Sequence, residues 1–424
     1  MSGDGSAYDV TALLAILAAV IIATKLLGEI AQRLGQPAVL GELLAGVVLG
    51  AGALNIYDTH DPVLHTFAEL GVVVLLFQIG LHTDLKSLKK VGSTALLVAA
   101  VGVILPFVGG VLTAKALGLG PVAALIAGAA LTATSIGVSA RVLSDLGRLQ
   151  TPEGQVVLGA AVIDDVIGLI ILSVVSGIAA GAGVSAGGVA KITGVAVGFV
   201  VLALVLGSVT IPPLFRVIER VRITGALGLF GLAFAMLLAW VAVRSHSAMI
   251  IGAFAAGLIL HPTPRRHEIE SSVTSLGHFF VPIFFASVGA SVDLHALVTP
   301  VALITGSALT IVGVFGKVAA GYAPRQFDGN KLLIGVAMIP RGEVGLIFAQ
   351  MGLATGAILP QEFGALMMMV VVTTFITPPL LGRVARRAWH TGTFRRPGDG
   401  GIDDLVAGAS QSDVRKTVPR QRTN

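Results

Sequence analysis

Between Ala95 and Ala114 the chain runs for twenty residues without one charged side chain, and stretches of this kind recur along most of its length. A helix needs about 20 apolar residues to cross a bilayer. Inside hydrocarbon the backbone must satisfy its own hydrogen bonds, which leaves only helices or closed barrels. The 54 glycines and 5% aromatic content fit closely packed helices better than strands with aromatic girdles. With 55% hydrophobic and 12% charged residues, the chain reads as an all-α polytopic membrane protein. It has no cysteine, which excludes disulfides, thiolate metal sites and cysteine nucleophiles.

The apolar runs predict thirteen spans, at about 10–32, 37–54, 64–82, 92–117, 121–144, 153–180, 187–218, 223–242, 246–261, 271–290, 298–322, 330–355 and 361–387. The first ten residues carry acids and no Lys or Arg, so the n-region of a signal peptide is missing and the first span is expected to be retained. Around the loops after odd-numbered spans lie Arg33, Lys86, Lys89, Lys90, Arg141, Arg148, Arg216, Arg220, Arg222, Arg265, Arg266, Arg325 and Lys331. The loops after even-numbered spans have only Lys115, Lys191 and Arg244. The basic excess marks the cytoplasmic side, so the N-terminus is expected outside and the C-terminus inside. The formal charge of +5 is therefore a topology signal and not a nucleic-acid footprint. Residues 388–424 read as a disordered cytoplasmic tail, with some attraction to anionic lipid.

The chain also repeats weakly on itself. Gly41, Gly46 and Leu49 in the second span match Gly252, Gly257 and Leu260 in the ninth. Gly80, Asp84 and Leu85 after the third match Gly289, Asp293 and Leu294 after the tenth. Both pairs lie seven spans apart. An odd separation makes the two halves cross the membrane in opposite directions, the inverted-repeat plan of many secondary transporters.

Asp164 and Asp165 stand side by side in the apolar run from Leu158 to Leu172. A charge at bilayer depth costs at least ~2.5–3.5 kcal/mol, so such groups face a cavity and mark ion or proton pathways. A carboxylate in a partly dry cavity holds either a proton or a small hard cation. Neighbours on a helix point about 100° apart, so one aspartate can bind an ion while the other pairs with a base. Lys317, deep in the eleventh span, is the natural base, either as a permanent bridge or as one that breaks when the cation binds.

Two spans equivalent under the repeat carry disruptors. The fifth has Thr132, Thr134 and Ser135, whose hydroxyls compete for backbone partners. The twelfth has Pro340, Arg341, Gly342 and Glu343, and the proline removes a backbone donor. Broken helices near the midplane expose carbonyls to a cation and need charges to offset their dipoles, for which Arg341 and Glu343 are candidates. Thr134 and Ser135 either coordinate the ion or cap a half-helix. Glu42, Glu69 and Gln78 read as structural or as lining of an access path, and Met367–Met369 as packing.

These parts resemble the second monovalent cation:proton antiporter family, and its bacterial NapA-type Na⁺/H⁺ members in particular. The resemblance covers nearly all of residues 10–387 and rests on Pro37–Glu42, Phe77–Leu81, Thr132–Ser135, Ala161–Asp165, Pro282–Phe285, Gly316–Lys317 and Pro340–Gly345. It implies a thirteen-helix homodimer of the NhaA/NapA-like fold, with two broken crossing helices. A mobile core bundle (about 92–180 and 298–387) would move against a dimer-forming scaffold (about 10–82 and 223–290), joined by a linker helix at 187–218. It further implies that Asp165 is the principal ion ligand, that Asp164 pairs with Lys317, and that Thr134 and Ser135 lie beside the site. Potassium-efflux relatives often lack one acid and carry a nucleotide-binding domain. This chain has both acids and no Gly-x-Gly-x-x-Gly after a strand.

The expected function is exchange of cytoplasmic Na⁺ or Li⁺ for external H⁺ across a bacterial-type inner membrane, by alternating access, with no cofactor and no enzymatic reaction. Electroneutral K⁺/H⁺ exchange is the nearest alternative, and a sodium-coupled solute symporter is a further one. An intramembrane aspartyl protease would set its two acids on different helices so that they share a proton. Here they are chain neighbours.

Overall fold

The computed structural model describes residues 10–179, 225–245, 248–292 and 297–390, with scattered positions between 187 and 209. The described residues form helices and no strand. In chain order these are α1 (Val10–Arg33), α2 (Ala38–Leu49), α3 (Pro62–Leu81), a short α4 (Leu85–Lys90), α5 (Gly92–Ala116), α6 (Pro121–Ala130), α7 (Ile136–Asp145) and α8 (Pro152–Ala179). There follow α9 (Ala226–Arg244), α10 (Met249–Leu260), α11 (Arg266–Ala290), a π-helical turn (Ala302–Gly306) running into α12 (Ser307–Tyr322), α13 (Lys331–Ala337), α14 (Glu343–Ala354) and α15 (Pro360–His390). Eight of them are long and apolar enough to cross a membrane, and α2, α6 and α10 are shorter apolar helices.

Every predicted span has its helix except the seventh, most of which lies outside the described residues, as does the tail beyond His390. The fifth and twelfth spans are each interrupted, as α6/α7 and α13/α14. Local signals place several ends. Asp61 accepts from the N–H groups of Val63 and Leu64 at 2.8 and 3.1 Å, with Pro62 opening α3. Asn330 caps α13 through the N–H of Leu333 at 2.9 Å. Such caps satisfy donors that the first helical turn leaves orphaned.

The glycine register proposed from sequence is matched contact for contact. A Cβ on Gly46 of α2 would lie 2.0 Å from the Ala286 carbonyl oxygen, and one on Gly289 of α11 would lie 2.0 Å from that of Leu43. In the symmetry-related pair, a Cβ on Gly257 of α10 would meet the Phe77 oxygen at 2.3 Å, and one on Gly80 of α3 the Phe254 oxygen at 2.3 Å. Gly41 meets the Leu27 carbonyl as Gly252 meets that of Leu238. In each case the glycine and its partner keep the same spacing in the two halves. The matching extends to α5/α6 and α12/α13, where Gly110 packs on Gly128 as Gly321 packs on Gly335. Asp293 and Leu294, the last marks of the repeat, lie outside the described residues. Small residues here let helix backbones touch, which is how membrane helices gain packing without a hydrophobic driving force between them.

Candidate functional site

The two interrupted spans cross at their breaks. The Ser135 N–H donates to the Pro340 carbonyl at 2.8 Å, joining one break directly to the other. Pro340 has no N–H to continue its own helix, so its span opens there, and its carbonyl is left to take the donor from Ser135. The approach is close enough that a Cβ on Gly342 would lie 2.7 Å from Ser135 Cβ and Oγ, so only glycine fits. The Ser139 hydroxyl donates to the Ala337 carbonyl at 2.5 Å and fastens α7 to the end of α13.

Each break leaves carbonyls at the C-terminal end of one half-helix, where the partial charge is negative. Arg341 answers both. It is fully buried, and its Nη1 donates to the carbonyls of Met338 at 3.2 Å and Ala133 at 3.4 Å. Its own peptide is held by α15, with its N–H donating to Thr373 Oγ1 at 3.3 Å and its carbonyl accepting from the Thr374 hydroxyl. Glu343 opens α14, and its side chain lies outside the described part.

α8 brings the aspartate pair to this crossing. Asp164 is fully buried, and its Oδ2 accepts from Lys317 Nζ at 2.9 Å and from Thr134 Oγ1 at 2.5 Å. Its Oδ1 has no partner among the described residues. Lys317 comes from α12 and is also fully buried. Gly102 of α5 leaves room for it, since a Cβ there would stand 3.4 Å from Lys317 Cδ and Nζ. Asp165, rotated by one residue, lines a cavity of about 330 Å³ together with Thr134, Ser135, Gly342, Val370 and Thr374. The cavity runs past Phe284 and Leu76 to Glu69, His65, His60, Thr59, Ser291 and Val292. It therefore joins Asp165 to the loops that follow α2 and α11.

Asp164, Asp165, Thr134, Ser135, Lys317, Pro340 and Arg341, which the sequence singles out, thus meet at one place. Ser135 makes no side-chain cap to α7, so the hydroxyl-cap alternative fails for it. Glu69 stands at the cavity mouth, half exposed, with its Oε1 3.8 Å from His65 Nδ1. Gln78 ties α3 to α11 through the Val273 carbonyl at 3.0 Å. The sequence reading missed Ser139, Thr373 and Thr374. The signal it passed over was a pair of adjacent hydroxyls deep in the last span.

A crossing of two broken helices, a buried lysine–carboxylate pair and a second carboxylate on an open cavity define an ion-translocating membrane protein. The chain belongs to the sodium/hydrogen exchanger family, whose transmembrane description it matches over residues 16–387. It is 38% identical over 408 residues to the high-affinity Na⁺/H⁺ antiporter NhaS3 of Synechocystis, a match covering 87% of this chain and 88% of that one. It is 34% identical to the Na⁺/H⁺-K⁺ antiporter GerN of Bacillus cereus, over 86% of this chain and 94% of that one. Its fold is that of the sodium proton antiporter MjNhaP1 from Methanocaldococcus jannaschii, with a TM-score of 0.65 and 18% identity over 89% of this chain and 99% of that one.

Proposed function

We propose that the chain expels cytoplasmic Na⁺, or Li⁺, in exchange for external H⁺ by alternating access, as a homodimer in an inner membrane. One observation carries this: of two adjacent carboxylates, Asp165 lines an open passage while Asp164 is locked behind it to Lys317 and Thr134. That division gives one acid to the travelling ion and the other to a proton-holding pair. The relatives named for Na⁺/H⁺ exchange support the choice of ions.

Asp165 is the principal ligand, with Asp164, Thr134 and Ser135 supplying further oxygens. Pro340 opens the second break, and Arg341 offsets the half-helix dipoles there, with Glu343 at the start of α14. The cavity mouth lies at loops poor in Lys and Arg, so this state faces outward. Protons entering from the mouth reach Asp165 and displace Na⁺. After the core (α5–α8 and α12–α15) moves against the scaffold (α1–α3 and α9–α11), cytoplasmic Na⁺ displaces protons from Asp165 and from the Asp164–Lys317 pair. Two protons per ion would carry one net charge inward, so the membrane potential would contribute about 2.3 kcal/mol per 100 mV.

The test is proton movement in liposomes carrying an internal pH dye, with Na⁺, Li⁺ or K⁺ added under a clamped potential. Voltage-dependent exchange with Na⁺ or Li⁺, abolished in Asp165→Asn, is expected. Voltage-indifferent, K⁺-selective exchange would transfer the assignment to electroneutral K⁺/H⁺ antiport. That second reading is favoured by one observation, the K⁺ in the name of the Bacillus relative.

A further inference from the structure

Seven Asp, Glu, Lys or Arg side chains are more than nine-tenths buried among the described residues: Glu42, Arg148, Glu153, Asp164, Asp165, Lys317 and Arg341. Six belong to α8, the breaks, the loop before α8 and α12. Glu42 alone sits in the opposing set of helices, on α2, and it is 3% exposed. Its Oε2 has no hydrogen-bond partner among the described residues. A carboxylate sealed from water without full hydrogen bonding is costly, and packing alone gives no reason to keep one.

What covers Glu42 explains its position. The charged groups that face it are Lys25 of α1 and Arg141 and Asp145 of α7, and α11 adds none among the described residues. Arg141 is already engaged on its own helix, with its Nε 3.2 Å from Asp145 Oδ1. α7 is the half-helix that follows the first break, so it moves with the ion site. Gln150, after α7, donates to the His82 carbonyl at 3.3 Å and links α7 to the end of α3. The open cavity approaches Asp165 from the other direction. Glu42, near the start of α2, therefore lies at the end of that helix away from the open mouth, with charged groups of α7 among its neighbours.

We infer that Glu42 is a second acceptor for the monovalent cation: the carboxylate met first on the cytoplasmic path once α7 withdraws Arg141 and Asp145 from it. The inference rests on the alternating-access reading of the same molecule. It assigns Glu42 a role in ion capture from one side only, and it gives Arg141 the part of a latch that holds that side shut.

The experiment measures the KM for Na⁺ from each side, using the full-length chain in liposomes of known orientation. Glu42→Gln should raise the cytoplasmic-side KM about tenfold, the size of one charge-assisted contact. The external-side KM should stay within about twofold. Glu42→Asp should recover most of the loss, which a merely structural carboxamide defect would not allow. Arg141→Gln should lower the cytoplasmic-side KM, because the latch is weakened. Equal shifts on both sides, no shift, or no recovery with Asp would each overturn the inference. Should Glu42→Gln fail to fold, Arg141→Gln decides alone, and an unchanged cytoplasmic KM overturns it. Wild type without any exchange would remove the functional reading as well, whereas exchange with a symmetric Glu42 effect removes this inference only.

Discussion

Gly46 and Gly289 press α2 against α11 in one part of the molecule, and Gly257 and Gly80 press α10 against α3 in its inverted counterpart, with the same carbonyls in the same register. The polar residues at the two breaks do not repeat in this way. In the first half α8 delivers Asp164 and Asp165 to the break at Thr134. In the second half α15 stands where α8 stands, and delivers Thr373 and Thr374 to the break at Arg341. A pair of hydroxyls suffices to satisfy the peptide groups that an interrupted helix exposes. Two carboxylates are more than that structural task requires, which separates the need of the fold from the need of transport.

The largest test of this contrast is Asp164→Ala against Thr373→Val. Removing Asp164 leaves the Lys317 ammonium buried without its carboxylate, and breaking such a pair costs about 3–5 kcal/mol. Thermal unfolding in detergent should show this as the deepest loss of any single change at the crossing. Adding a methyl at Gly46 or Gly257 comes next. Gly46→Ala and Gly257→Ala should each cost about 1–3 kcal/mol by overpacking, and by similar amounts. A silent change at one and a severe change at the other would break the equivalence of the halves. Thr373→Val should cost about 1–2 kcal/mol, since the Arg341 N–H loses its acceptor. A loss as deep as that of Asp164→Ala would show that the hydroxyl pair is as heavily used as the charged one. The smallest effect belongs to Gln150→Ala, whose contact with His82 is exposed. Its unfolding midpoint should stay within about 0.5 kcal/mol of wild type, and differential protease access to the α7–α8 loop should report any change in the closed side.

Much of this was legible in the chain. The span lengths follow from hydrocarbon thickness, and Pro340 and Gly342 announce an interruption by chemistry that no neighbour can undo. The glycine register was readable because only glycine permits backbone contact. Other features were hidden for identifiable reasons. Thr373 and Thr374 also donate to carbonyls one turn back, Met369 at 2.8 Å and Val370 at 2.7 Å. Hydroxyls in apolar helices commonly do this, so a residue that also reaches across to another helix carries no separate mark. The sequence placed Asp164 and Asp165 about 100° apart, and only the family resemblance pointed to Asp165, because which one faces the passage depends on how α8 is rotated against α5 and α6. The π-helical turn at Ala302–Gly306, just before α12, contains no proline, and Pro300 two residues earlier reads as an ordinary helix start.

The Ser135–Pro340 bond, with Gly342 pressed against Ser135, makes the crossing a hub. Thr134, Asp164, Lys317 and Arg341 are fastened to it or to each other, so they share one frame. An ion held at the hub keeps the same neighbours on either face of the membrane. Any difference in apparent affinity between the two faces must then arise in the corridors that lead to the hub, and in the acidity of the water that fills them. The exchanger's directional bias is thus a property of its approaches and not of its cradle.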